Sequence, residues 1–86
     1  MPTLLREDGF EVRIDTLDHP PSHVHVAKAG AVVKIDLTTH HAIEIVGSNS
    51  DRDVRRAEQL VVRNALFLKH EWEKRHGGSQ RDRKRS

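Results

Sequence analysis

Eighty-six residues, of which 33% are charged and 35% hydrophobic, leave room for one domain with one small core, because a chain this short buries only about 60% of the surface its unfolded form exposes. The absence of cysteine excludes disulfides and thiolate zinc sites; no segment approaches the ~20 apolar residues of a membrane span, and the stretch from Met1 to Asp8 lacks the apolar run of a leader, so a cytoplasmic protein without membrane contact is expected. The net charge of +2 conceals a polarity: residues 1–50 carry four Lys/Arg against seven Asp/Glu, residues 51–76 carry seven against five, and residues 77–86 carry four against one, so attraction to nucleic acid has to come from the C-terminal part.

Phe10-Glu11-Val12-Arg13-Ile14-Asp15-Thr16 alternates apolar and charged residues, the period of a strand with one buried face. The breaker Asp18-His19-Pro20-Pro21-Ser22 follows. His23-Val24-His25-Val26-Ala27-Lys28 alternates again, and Ala29-Gly30 offers a two-residue turn. Ala31 to Leu37 reads as a third strand, and Ala42-Ile43-Glu44-Ile45-Val46, closed by Gly47, as a fourth. Short connections between short strands predict an antiparallel meander.

Ser50 caps the helix expected next, with Asp51 and Asp53 at its positive end and Lys74, Arg75 and His76 at its negative end before Gly77. Val54, Ala57, Val61, Ala65, Leu68 and Trp72 share the arc that faces the sheet. Twenty-six residues make a helix of ~39 Å, longer than so small a sheet covers, so its last turns project or meet a second subunit. The expected fold is therefore α+β: a small antiparallel β-meander of three to four strands packed on one long C-terminal α-helix. Residues 1–76 form the domain, and residues 77–86, without one apolar side chain, form a disordered basic tail.

A two-residue turn at Ala29-Gly30 fixes the register of the hairpin. Val26 then faces Val33, Val24 faces Ile35, His25 faces Lys34 and His23 faces Asp36. A slip of one residue would turn every valine to the wrong face. His23 and His25 therefore project from one face, ~7 Å apart, with Asp36 beside the first. Such a group supports several chemistries. His23 oriented by Asp36, with His25 and His19 near, suits general acid–base catalysis in a small hydrolase or ribonuclease. His19, His23 and His25 suit an N/O site for a divalent metal such as zinc, although no cofactor is required. Binding a partner without chemistry is a further reading, and so is plain packing of the Pro-Pro loop through satisfied hydrogen bonds.

The helix face opposite the sheet carries Arg52, Arg56, Arg63 and Lys74, with Gln59 and His70 among them and Leu66 and Phe67 alongside. This ridge is a candidate footprint for phosphates, with Leu66 and Phe67 as candidate partner contacts. Pairs such as Asp51–Arg55 and Lys69–Glu73 are expected to neutralise part of it. With Phe10, Phe67 and Trp72 as the only aromatic side chains, base stacking has little to work with.

The stretch Asp18-His19-Pro20-Pro21-Ser22-His23-Val24-His25-Val26, after Met1-Pro2-Thr3 and Gly9-Phe10, resembles the hallmark of the domain of unknown function 4160 family of small bacterial proteins. Gly30, the strand Lys34-Ile35-Asp36-Leu37 and a helix ending in Leu68, Glu71 and Trp72 are also similar, so the resemblance spans roughly residues 1–76. It departs at Glu11-Val12-Arg13-Ile14-Asp15, where many members carry aromatic residues. The resemblance places His19, His23 and His25 in the family motif without giving them a role. It implies a cytosolic component of a two-gene module of toxin–antitoxin type, with a small partner protein and RNA or DNA as possible ligands.

Overall fold

The computed structural model describes residues 3–14 and 21–77. Five strands, β1 (Thr3–Glu7), β2 (Phe10–Arg13), β3 (His23–Lys28), β4 (Ala31–Asp36) and β5 (Ala42–Val46), form one antiparallel sheet in chain order. Two helices follow, α1 (Asp51–Arg63) and α2 (Ala65–Trp72), and a π-helical turn over Glu73–Gly77 closes the described chain. Asp18, His19 and the tail beyond Gly77 lie outside the described residues, as do the expectations attached to them.

Two primed turns build the N-terminal four strands. Asp8 and Gly9 have φ of 54° and 82°, and Ala29 and Gly30 have φ of 49° and 83°, the left-handed pair whose twist matches that of the flanking strands. The β3–β4 register is the one read from the sequence: His23 opposite Asp36, Val24 opposite Ile35, His25 opposite Lys34 and Val26 opposite Val33. Val12, Val24, Val26, Val33 and Ile35 are all buried on one face, and Ala57, Leu60, Val61, Leu68 and Trp72 from the helices close the core over them. Each buried Val, Leu or Ile among them contributes about 1.5–3 kcal/mol by leaving water. Leu60 belongs to this stripe beside Val61, whereas Val54 and Ala65 are only partly buried.

The expected architecture needs two corrections. The sheet has five strands, not three or four. Leu4-Leu5 shows no alternation because a bulge between Thr3 and Leu5 shifts the register of β1 against β2, so two adjacent leucines both pack against the core. The single long helix is also replaced by two short ones that meet at Asn64, whose φ of −114° and ψ of 19° leave the helical region. The Asn64 side-chain amide donates to the Leu60 carbonyl at 2.9 Å and to Glu7 Oε1 at 3.3 Å. A short amide competing for backbone partners interrupts a helix in this way, and Glu7, on β1, holds the interruption in place.

Polar contacts pin α1 over the sheet. Ser50 Oγ accepts the Asp53 amide at 3.1 Å, the expected N-cap. The Asp53 carboxylate lies 3.6 Å from Lys28 Nζ, which also sits 4.8 Å over the Phe10 ring. Glu58 accepts the Ala42 amide at 2.8 Å, and Arg63 donates to Glu7 at 2.5 Å. Among the described residues no helix is long and apolar enough to cross a membrane.

Candidate functional site

The alternation of β3 puts His23 and His25 on the face opposite the valines, and their rings meet edge to face with centroids 5.2 Å apart. His25 stands in a polar row across the sheet, Arg13–His25–Lys34–Glu44, in which Lys34 and Glu44 are 3.1 Å apart. His23 is different. It is 5% exposed, and the Trp72 ring from the end of α2 packs on it at a centroid distance of 5.2 Å. Its Nδ1 lies 2.8 Å from the Pro21 carbonyl. A carbonyl can only accept, so Nδ1 carries the hydrogen in this contact. Pro21 is thereby tied to the first residue of β3, and the Ser22 carbonyl adds a second tie by accepting the Leu37 amide at 2.9 Å.

Asp36, directly across from His23, is 9% exposed. Its Oδ1 accepts the backbone amides of Thr38 at 2.6 Å and Thr39 at 3.0 Å. Its own backbone also clasps the connection to β5, with the amide bonded to the His41 carbonyl and the carbonyl to the His40 amide. The strand geometry thus brings His23, His25 and Asp36 together as the sequence suggested, while the carboxylate is engaged by the turn that follows it. Among the described residues no three His, Asp or Glu side chains are placed to hold one metal ion. His19, the third ligand in that reading, lies outside them.

The helix ridge does not survive as one unit. Arg63 is bound to Glu7 and lies 3.7 Å from Asp8, and Lys74 is 3.7 Å from Glu71, which also accepts from Arg75. The consequences reach the carboxylates. The Arg63 hydrogen bond, aided by Asn64, holds the Glu7 carboxyl below the ordinary glutamate value. Arg75 does the same to Glu71, and Arg6, with Thr3, to Glu11. What remains is a tighter group. Arg52, Arg55, Arg56 and Gln59 line a concavity of about 240 Å³ on the outer side of α1. Arg55, expected to pair with Asp51, belongs to this group. Among the described residues none of the three arginines makes an ion pair or a side-chain hydrogen bond. Helix spacing alone could not separate these arginines from Arg63, because the acids that neutralise Arg63 come from β1 and its turn.

Leu66, at 88% exposure, and Phe67, at 44%, stand in water on α2, and Val62 on α1 is 53% exposed. Val62 precedes the break at Asn64, and Leu66 and Phe67 follow it. Val62 extends the pair of apolar contacts read from the sequence.

A family model described as Domain of unknown function (DUF4160) matches residues 9–73. No curated protein and no solved structure matches the chain.

Proposed function

Since this chain belongs to the DUF4160 family, we propose on its own geometry that it is a small interaction protein that docks one partner protein on the outer face of its helix pair, as one component of a toxin–antitoxin-type module. The observation that carries the reading is the exposure of Val62 at the end of α1 and of Leu66 and Phe67 at the start of α2. Single exposed apolar residues are ordinary, but three large ones flanking the junction of α1 and α2 match a partner-binding patch. The toxin–antitoxin setting rests on the family resemblance alone.

The histidines support a catalytic reading less well. His23 lies under Trp72 with Nδ1 directed at Pro21, and Asp36 Oδ1 is occupied by two turn amides. An acid–base pair needs both groups turned toward a substrate. Packing of the Pro21 loop accounts for the same contacts.

A photoreactive benzophenone side chain at position 66, activated in cells that make the protein natively, tests the docking role, with the exposed Thr38 position as the control. The expected result is one discrete adduct of higher mass from position 66, lost when Phe67→Asp is added and absent from position 38. Identical adducts from both positions, no adduct from position 66, or one at twice the mass of this chain would overturn the proposal.

A further inference from the structure

Arg52, Arg55, Arg56 and Gln59 occupy the outer side of α1, and Val62 lies one turn beyond Gln59 toward Leu66 and Phe67. From position 52 to position 62 is ~15 Å along α1, and Leu66 and Phe67 follow on α2 beyond the break at Asn64. The arginines are concentrated at one end of this strip and the apolar side chains at the other.

Local charge sharpens the picture. Of the three acids on α1, Asp53 is drawn to Lys28 and Glu58 to the Ala42 amide and His41. Both therefore serve the sheet side. Asp51, at the first turn, is the carboxylate left near the cluster. The guanidinium groups of Arg52, Arg55 and Arg56 keep their hydrogen-bonding forks available, and such forks match carboxylates and phosphates. The apolar end decides between these ligands. Phosphate contacts leave Val62 and Leu66 uncovered, and among the described residues no aromatic side chain lines the arginine concavity to stack a base. A protein segment uses both ends at once.

Resting on the docking role above, we infer that the partner presents an amphipathic segment with Asp or Glu residues at one end, which meet Arg52, Arg55 and Arg56, and aliphatic or aromatic residues at the other, which cover Val62, Leu66 and Phe67. Charge complementarity at the arginine end sets the orientation and the encounter rate, and the apolar end holds the complex together.

Peptides of sixteen residues displayed on phage and selected against the immobilised full-length chain test this. The expected clones carry acids clustered toward one end and apolar residues toward the other. Synthetic versions should bind about tenfold more weakly to the Arg52→Glu/Arg55→Glu variant and lose binding to Leu66→Asp. Selection against the double charge-reversal variant should return basic segments instead. Clones that depend on Leu66 but show no acid bias and no response to charge reversal would overturn the inference while leaving the docking role standing. Absence of any Leu66-dependent clone would count against the docking role itself. A labelled twenty-base-pair duplex is the second probe. If the duplex binds through Arg52 and Arg55 more tightly than the acidic peptides, the inference falls to a nucleic-acid site. Circular dichroism of each variant confirms the fold, since every substituted side chain is exposed.

Discussion

Replacing Asp36 with alanine separates a structural carboxylate from a catalytic one. In the structure Oδ1 takes two backbone amides, Thr38 at 2.6 Å and Thr39 at 3.0 Å, from a residue only 9% exposed. Hydrogen bonds to a charged group contribute about 1.5–3 kcal/mol each. Thr38 and Thr39 are themselves exposed, so water can partly satisfy their amides once the carboxylate is gone, and the two losses do not add in full. A net loss of about 2 kcal/mol follows, and in a domain of this size that lowers the melting temperature by roughly 8–16 °C. Asp36→Asn retains the accepting oxygen and should lose less than half as much. Urea and thermal unfolding followed by far-ultraviolet circular dichroism measures both. A carboxylate kept for chemistry behaves oppositely, because its removal commonly leaves stability unchanged or higher. If Asp36→Ala unfolds within about 0.5 kcal/mol of the parent, or if Asp36→Asn is as damaging as alanine, the turn assignment is wrong.

Two further outcomes concern the hairpins and the exposed ion pairs. Ala29 sits at φ 49°, a left-handed conformation that costs an ordinary L-residue about 1–2 kcal/mol. Ala29→Asn, the favoured partner for the following Gly30 in a primed turn, should stabilise by about 0.5–1 kcal/mol, and an unchanged or lower melting temperature would refute the strain. Glu7, Glu11 and Glu71 all have folded-state carboxyls below the ordinary value of 4.5. The unfolded chain therefore binds their protons first as pH falls. The stability these groups contribute is present above pH 4.5 and is lost as pH drops through their lowered values. Arg63→Gln removes the largest cause of the Glu7 shift, so the urea midpoint of this variant should fall less between pH 5 and pH 3 than that of the parent at low salt. Parallel pH profiles would show that the Arg63–Glu7 bond carries no such dependence.

The central hairpin was fully legible because two local signals agreed. Strict alternation over His23 to Val26 and Val33 to Leu37 sets the faces, and the Ala29-Gly30 turn sets the pairing, so the observed register needs no long-range knowledge. β1 was illegible for the converse reason. Its two leucines are adjacent, and the bulge that lets both reach the core leaves no period to read. The Asp8-Gly9 turn was the available signal, since Asp-Gly between apolar runs marks a hairpin. The helix stripe is legible at Ala57, Val61, Leu68 and Trp72, all buried, because each of the two helices keeps the 3.6-residue period on its own. Asn64 is a weak helix former but is tolerated in many helices, and nothing in its neighbours announces that its amide will turn back on Leu60.

The candidate site shows the same division between local pattern and distant contact. Alternation correctly placed His23, His25 and Asp36 on one face, but what each group does there depends on residues far away in the chain. Trp72, 49 positions after His23, covers its ring. Glu7, 56 positions before Arg63, takes that arginine out of the ridge. The two events are connected through one carboxylate. Glu7 binds Arg63 through Oε2 and Asn64 through Oε1, and so sits at the break between α1 and α2. The course of α2 after that break brings Leu68 into the core and Trp72 onto His23, leaving Leu66 and Phe67 outward. The end of β1, a strand with no alternation to announce it, thus holds both the neutralised end of the arginine ridge and the helix break next to the exposed apolar patch. The three arginines that escape this clamp, Arg52, Arg55 and Arg56, are those farthest along α1 from Glu7. The same spacing leaves a cationic end and an apolar end on one strip, the polarity on which an acidic amphipathic partner would orient.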